Sequence, residues 1–109
     1  MVFLRPQEYS VHQPITSVQD MGLAMRAVRK AGGVRLDDLS GVVGVSKQFT
    51  SELEHGKATA QIGLALKLLH ELGVHVMLDI PESATSQLAQ LRQRGPRPLK
   101  PRKARGDKP

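Results

Sequence analysis

Apolar residues recur along this chain with a helical period from residue 21 onward, and with a strand period only once. Met21, Ala24, Met25 and Val28 stand at i, i+3, i+4 and i+7, the spacing of one helix face. Ser17 or Thr16 is placed to cap that helix, Asp20 falls in its first turn, and Gly32 with Gly33 ends it. Leu36, Leu39 and Val43 share a face in a second, shorter run over 35–43, closed by Gly44. Ser46 suits the N-cap of a third helix reaching Glu54, with Thr50 and Leu53 turned inward and Gly56 as the stop. A fourth helix is expected over 60–72, with Ile62, Ala65, Leu66 and Leu69 inward, Leu72 after them and Gly73 as the stop. Gly63 inside that helix costs about 1 kcal/mol relative to Ala, which implies close packing there or a tolerated defect.

The period then changes. Val74, Val76 and Leu78 alternate with His75, Met77 and Asp79, which predicts a short strand over 74–79 stopped by Pro81. One strand cannot satisfy its own backbone, and no second strand is evident, so pairing with the same strand of a second copy is expected. Beyond Pro81 a weak helical stretch spans 83–94, and 95–109 is Pro-rich and basic with almost nothing to bury. Residues 1–15 carry Pro6 and Pro14 and no sustained period. The pattern thus predicts an N-terminal arm over 1–15, a domain over 16–80, and a largely disordered tail over 81–109. The domain is all-α, a bundle of four to five helices with one short C-terminal β-strand that pairs across a homodimer.

Composition narrows the function. At 109 residues there is room for one domain with a modest core, which makes dimerisation an expectation from size alone. The absence of cysteine removes disulfides, thiolate metal sites and thiol nucleophiles, and fits a reducing compartment. No apolar run approaches the roughly 18 residues that span a bilayer, and MVFLRPQEYS lacks the basic-then-apolar order of a secretion signal. The expectation is a soluble, cytoplasmic protein with no membrane partner. Aromatics make up 3% of the chain with no Trp, which disfavours stacking platforms for single strands and leaves duplex DNA as the nucleic acid to consider.

The net charge of +6 is unevenly distributed. Eight basic residues, from Arg92 to Lys108, face the single acid Asp107, which leaves eight basic and nine acidic residues in the first 91. The folded part is therefore near neutral, and the basicity belongs to the tail. That tail is open to three readings: a non-specific DNA clamp, a segment that folds on a partner, or a solvated terminus.

Two short helices joined across Gly44 form a helix-turn-helix pattern, in which the second helix enters the major groove and its N-terminal residues meet base edges. Lys47 then suits a guanine O6/N7 edge or a phosphate, and Gln48 an adenine N6/N7 edge, with Ser51 one turn on. Ser46 both caps the helix and can hold a phosphate, and Arg35 stands at the start of the preceding helix where the backbone passes. Phe49 either meets a thymine methyl or packs on a neighbouring helix. Lys57 is a weaker phosphate candidate, as are Arg26 and Arg29, and Arg29 can instead pair with Glu54. The four histidines show no metal-ligand spacing, and no GxSxG, Walker loop or GxGxxG occurs. No metal, cofactor or catalytic residue is expected, and the chain is not read as an enzyme.

Residues 25–78 resemble the lambda-repressor-like (Xre/Cro-type) helix-turn-helix domains, through DDL…GVS…F.SELE.GK over 37–57. The TAQIG…L..LGV run over 59–74, followed by a short strand, is similar to the HipB-like antitoxins among them. The resemblance implies a homodimer that pairs strands across its two-fold axis and binds a palindromic operator in its own promoter. It also implies a HipA-like serine/threonine kinase toxin as partner, and it matches Ser46, Lys47, Gln48 and Ser51 to operator-contacting positions. A common Thr-Gln pair of the family is replaced here by Arg35-Leu36. Two other readings stay open: a stand-alone Xre-type repressor or antitoxin of a different toxin class, and a protein-binding adaptor that has lost DNA binding.

Overall fold

The computed structural model describes residues 9–97 and residue 99. Residues 1–8 of the expected arm, and 98 and 100–109 of the expected tail, lie outside the described residues. Four helices make the first of two units, which ends at Met77: α1 Val18–Ala31, α2 Leu36–Val43, α3 Lys47–Glu54 and α4 Ile62–Glu71. The second unit, from Leu78, holds a single 3-10 turn, Glu82–Ala84, and α5 Thr85–Arg94. Thr85 Oγ1 donates to Glu82 O at 2.7 Å across that turn, Gly95 follows α5 with a φ of 79°, and none of the α5 residues is buried.

The helix ends follow the expected chemistry. Ser17 Oγ accepts the Asp20 N–H at 3.0 Å and starts α1. Gly44, with a φ of 85°, turns the chain out of α2, and the N–H groups of Gly44 and Val45 both donate to Ser40 O at 2.9 and 3.0 Å. That left-handed turn returns Val45 to the core and delivers Ser46 to the start of α3. At the far end, Lys57 N–H closes on Glu52 O at 3.0 Å across Gly56, whose φ is also 85°.

The core consists of Met25, Leu39, Leu53, Ala65, Leu68, Leu69 and Leu72. It sits where α3 packs on α1 and α2, and α2 packs on α4. Two expected faces turn out rotated. In α4, Ile62 is 75% exposed and Leu66 43%, while Leu68 is fully buried. The set 65, 68, 69, 72 has the same i, i+3, i+4, i+7 spacing as 62, 65, 66, 69. With six apolar side chains crowding this helix and Leu72 capping it, packing on α2 decides between two equal patterns. In α1, Val28 is 39% exposed, because Gly22 and Arg29 hold the face that meets α3.

The strand expected over 74–79 does not form in the single chain, and no strand occurs among the described residues. Val74 packs against the core, whereas Val76, Met77 and Leu78 are 55%, 67% and 84% exposed. A ladder needs a second edge to receive its N–H and C=O groups, and no described segment supplies one.

Contacts between α1 and α3 fix the position of α3. A Cβ on Gly22 would lie 2.5 Å from Leu53 O and 2.6 Å from Glu54 O, so the helices approach backbone to backbone. Beside them, Arg29 Nε donates to Glu54 Oε2 at 2.6 Å and Nη2 to Oε1 at 3.0 Å. Arg29 Nη1 donates to Val34 O at 3.0 Å in the turn before α2. The two side chains are 12% and 3% exposed, and the carboxylate hydrogen bond holds the guanidinium pKa above its usual value.

Three substitutions test this packing through stability. Gly22→Ala should lower unfolding free energy by about 1–3 kcal/mol through overpacking against backbone. Gly41→Ala, helical and with nothing within 4 Å of its Cβ position, should raise it by about 0.5–1 kcal/mol, both read by urea denaturation. Glu54→Ala leaves Arg29 buried and uncompensated and should cost about 3–5 kcal/mol in the same measurement, whereas a loss below 1 kcal/mol would show that water reaches the pair.

Candidate nucleic-acid interface

The helix-turn-helix occupies α2, the Gly44 turn and α3, and α3 is anchored on its inner side. Thr50 and Leu53 point inward and are essentially fully buried, as the pattern predicts. The hydroxyls of Ser40 and Thr50, also buried, are 2.6 Å apart, and Ser40 Oγ is 2.8 Å from Leu36 O. Ser40 has one proton; donating it to Leu36 O leaves its oxygen to accept from Thr50, so every hydroxyl proton in the pair is used. This polar bond ties the two helices of the motif together at fixed rotation.

With Thr50 and Leu53 inward, the opposite face of α3 carries the predicted contacts. Ser46, Lys47 and Gln48 are exposed at its N-terminus and Ser51 is half-buried one turn on. Ser46 Oγ accepts the Phe49 N–H at 2.9 Å. No acid lies in the first turn, so the positive end of the helix dipole is uncompensated there, which suits an approaching phosphate. Gln48 Nε2 donates to Glu52 Oε2 at 3.3 Å. Phe49 is half-buried and packs against the core, in keeping with the helix-packing reading, and it lines a shallow depression with Glu52, Lys57, Thr59, Ala60 and Gln61.

The cations around α3 divide into engaged and available. Arg29 is withdrawn from the phosphate candidates by its bidentate pairing with Glu54, the alternative the sequence left open. Arg35 occupies the N-cap position of α2 without a side-chain cap bond; its Nε and Nη2 donate to Asp37 Oδ1 and Oδ2, both at 3.1 Å. That hydrogen bond from Arg35 keeps the Asp37 carboxyl below its ordinary pKa. The Arg35 side chain is 74% exposed, and so open a pair releases a cation to a phosphate at little cost. Lys57 Nζ sits 3.1 Å from Glu52 Oε1 in a comparably open pair. Glu52 was missed from sequence, although its position four residues after Gln48 marks it as a helix-surface neighbour.

Among the described residues no group of His, Asp and Glu is placed to hold a metal ion, and no helix is long and apolar enough to cross a membrane.

No family model matches the chain. It is similar to the uncharacterized HTH-type transcriptional regulator y4mF of Sinorhizobium fredii (strain NBRC 101917 / NGR234), with 43% identity over 67 residues, which is 62% of this chain and 88% of that protein. Among solved structures it is similar to a chain of a HipB-O4 20mer complex, with a TM-score of 0.60 and 22% identity, covering 65% of this chain and all of the other. A chain of a HipA-HipB-O2-O3 complex matches with the same values. The structural matches establish the fold, and the chain spans most of the length of the sequence relative. The chain belongs to the HTH-type transcriptional regulators and has the HipB-like helix-turn-helix fold.

Proposed function

We propose that this protein is the antitoxin of a type II toxin–antitoxin system, a sequence-specific DNA-binding homodimer that represses its own operon and binds a HipA-like serine/threonine kinase toxin. The observation that carries the DNA reading is the outer face of α3. Exposed Lys47 and Gln48 follow a capped, acid-free helix start, on a helix whose inner face is locked. In a major groove, Lys47 takes a guanine or phosphate, Gln48 an adenine edge, and Ser46, Ser51, Arg35 and Lys57 hold the flanking backbone.

The dimer reading is supported by the segment after α4. Its alternating pattern and exposed Val76 and Leu78 call for a second edge, which an identical copy supplies across a two-fold axis. Two copies of α3 then read two half-sites about one helical turn apart, or a multiple of it, as a palindrome. The antitoxin reading is supported by a fold shared over the full length of HipB chains, one of them from a complex with HipA. A stand-alone regulator is the second reading, favoured by the description of the relative as an HTH-type transcriptional regulator.

The test is isolation of the native complex with identification of the bound chains, alongside binding to the DNA upstream of the protein's own gene. A kinase-like chain is expected in the complex; its absence, with upstream DNA still bound, would establish the stand-alone regulator. Lys47→Ala and Gln48→Ala should each weaken upstream binding by about tenfold or more while leaving the melting temperature unchanged. No binding to the upstream DNA, by the wild type as by both variants, would support the adaptor reading instead.

A further inference from the structure

One carboxylate stands between two of the proposed DNA contacts on the outer side of α3. Glu52 lies one turn beyond Gln48; its Oε2 accepts from Gln48 Nε2 at 3.3 Å, and its Oε1 accepts from Lys57 Nζ at 3.1 Å. The Glu52 and Lys57 side chains are 37% and 49% exposed, so neither bond adds much to folding. An acid on a DNA-facing surface opposes phosphate, and its presence there calls for a geometric reason.

We propose that Glu52 is a positioning residue that makes Gln48 a reader of adenine and bars it from guanine, an inference that rests on the DNA-reading role of α3 given above. An ionised carboxylate only accepts, so it faces the amide nitrogen of Gln48 and repels its oxygen. The amide orientation is thereby fixed, and one of its two N–H groups is consumed. One N–H and the carbonyl oxygen remain to face outward.

That outward pair, one donor and one acceptor, complements the adenine edge, which offers the N6 amino donor and the N7 acceptor. Guanine offers N7 and O6, two acceptors. Engaging it twice would require both amide hydrogens, and one is already held by Glu52; in the fixed orientation the Gln48 oxygen would instead confront O6. Lys57 completes the arrangement from the other side. Its hydrogen bond, and then that of Gln48, keep the Glu52 carboxyl below its ordinary pKa, so the carboxylate is ionised at neutral pH. The ammonium also offsets the charge that would otherwise repel the DNA backbone.

The test uses the full chain and a duplex selected from a randomised library, with the A·T pair to which Gln48→Ala is indifferent converted to G·C. The wild type should favour A·T there by about tenfold, the range of one bidentate contact. Glu52→Ala should lose most of that preference, and in a Gln48→Ala background it should change nothing further at that pair. Glu52→Ala binding all duplexes more tightly with the preference intact would overturn the proposal, since the carboxylate would then act only by repulsion. An effect that persists in the Gln48→Ala background would overturn it too, by showing that Glu52 touches the base itself. So would the absence of any A·T pair that depends on Gln48. A wild-type chain with no sequence preference would remove the DNA reading as a whole, an outcome seen without any variant.

Discussion

The bidentate ion pair between Arg29 and Glu54 is the constraint on which the placement of α3 depends. Two charges withdrawn from water cost several kcal/mol each, and only close geometry and full hydrogen bonding offset that. Here both carboxylate oxygens are engaged, and the third guanidinium contact goes to Val34 O in the turn that leads into α2. The pair therefore ties α1, the α1–α2 turn and the end of α3 at once. It reaches this geometry because Gly22 lets the backbones of α1 and α3 meet. At the other end of α3, the Ser46 cap and the Ser40–Thr50 hydroxyl bond hold the helix start against α2. Held at both ends, α3 has little freedom to rotate, and the outer face keeps Lys47 and Gln48 exposed.

Most of this was legible in the chain because short-range chemistry determines it. The four helices of the first unit, their caps at Ser17 and Ser46, and the inward turn of Thr50 and Leu53 all follow from periodicity and local hydrogen bonding. The face of α4 did not, since apolar residues at 62, 65 and 66 and at 68, 69 and 72 satisfy the helical period twice over. Nor did the role of Gly22, whose meaning lies in a backbone 31 residues away at Leu53. The strand expected over 74–79 does not form in the single chain, where no described segment offers a second edge to pair with. Among the site residues, Lys47 and Gln48 stand where their spacing from Gly44 places them, Phe49 is half-buried against the core, and Arg29 pairs with Glu54.

Charge gives the interface its character. Up to Arg94, the end of α5, the chain carries ten bases against nine acids, so long-range attraction to DNA is weak in the folded part. Within it, Arg35 and Lys57 are each matched to an acid in open pairs, which a phosphate can replace with small loss. In the proposed DNA reading, such a surface discriminates through a few placed hydrogen bonds, doubled in a dimer, and not through a broad basic patch.

The DNA reading stands on entry of α3 into the major groove with its N-terminal residues against base edges. Methylation interference on the selected duplex tests it directly, because one reagent marks guanine N7 in the major groove and adenine N3 in the minor groove. Interference is expected at major-groove N7 positions in two half-sites about one helical turn or a multiple apart. Interference confined to minor-groove N3 positions, or none at either, would contradict it.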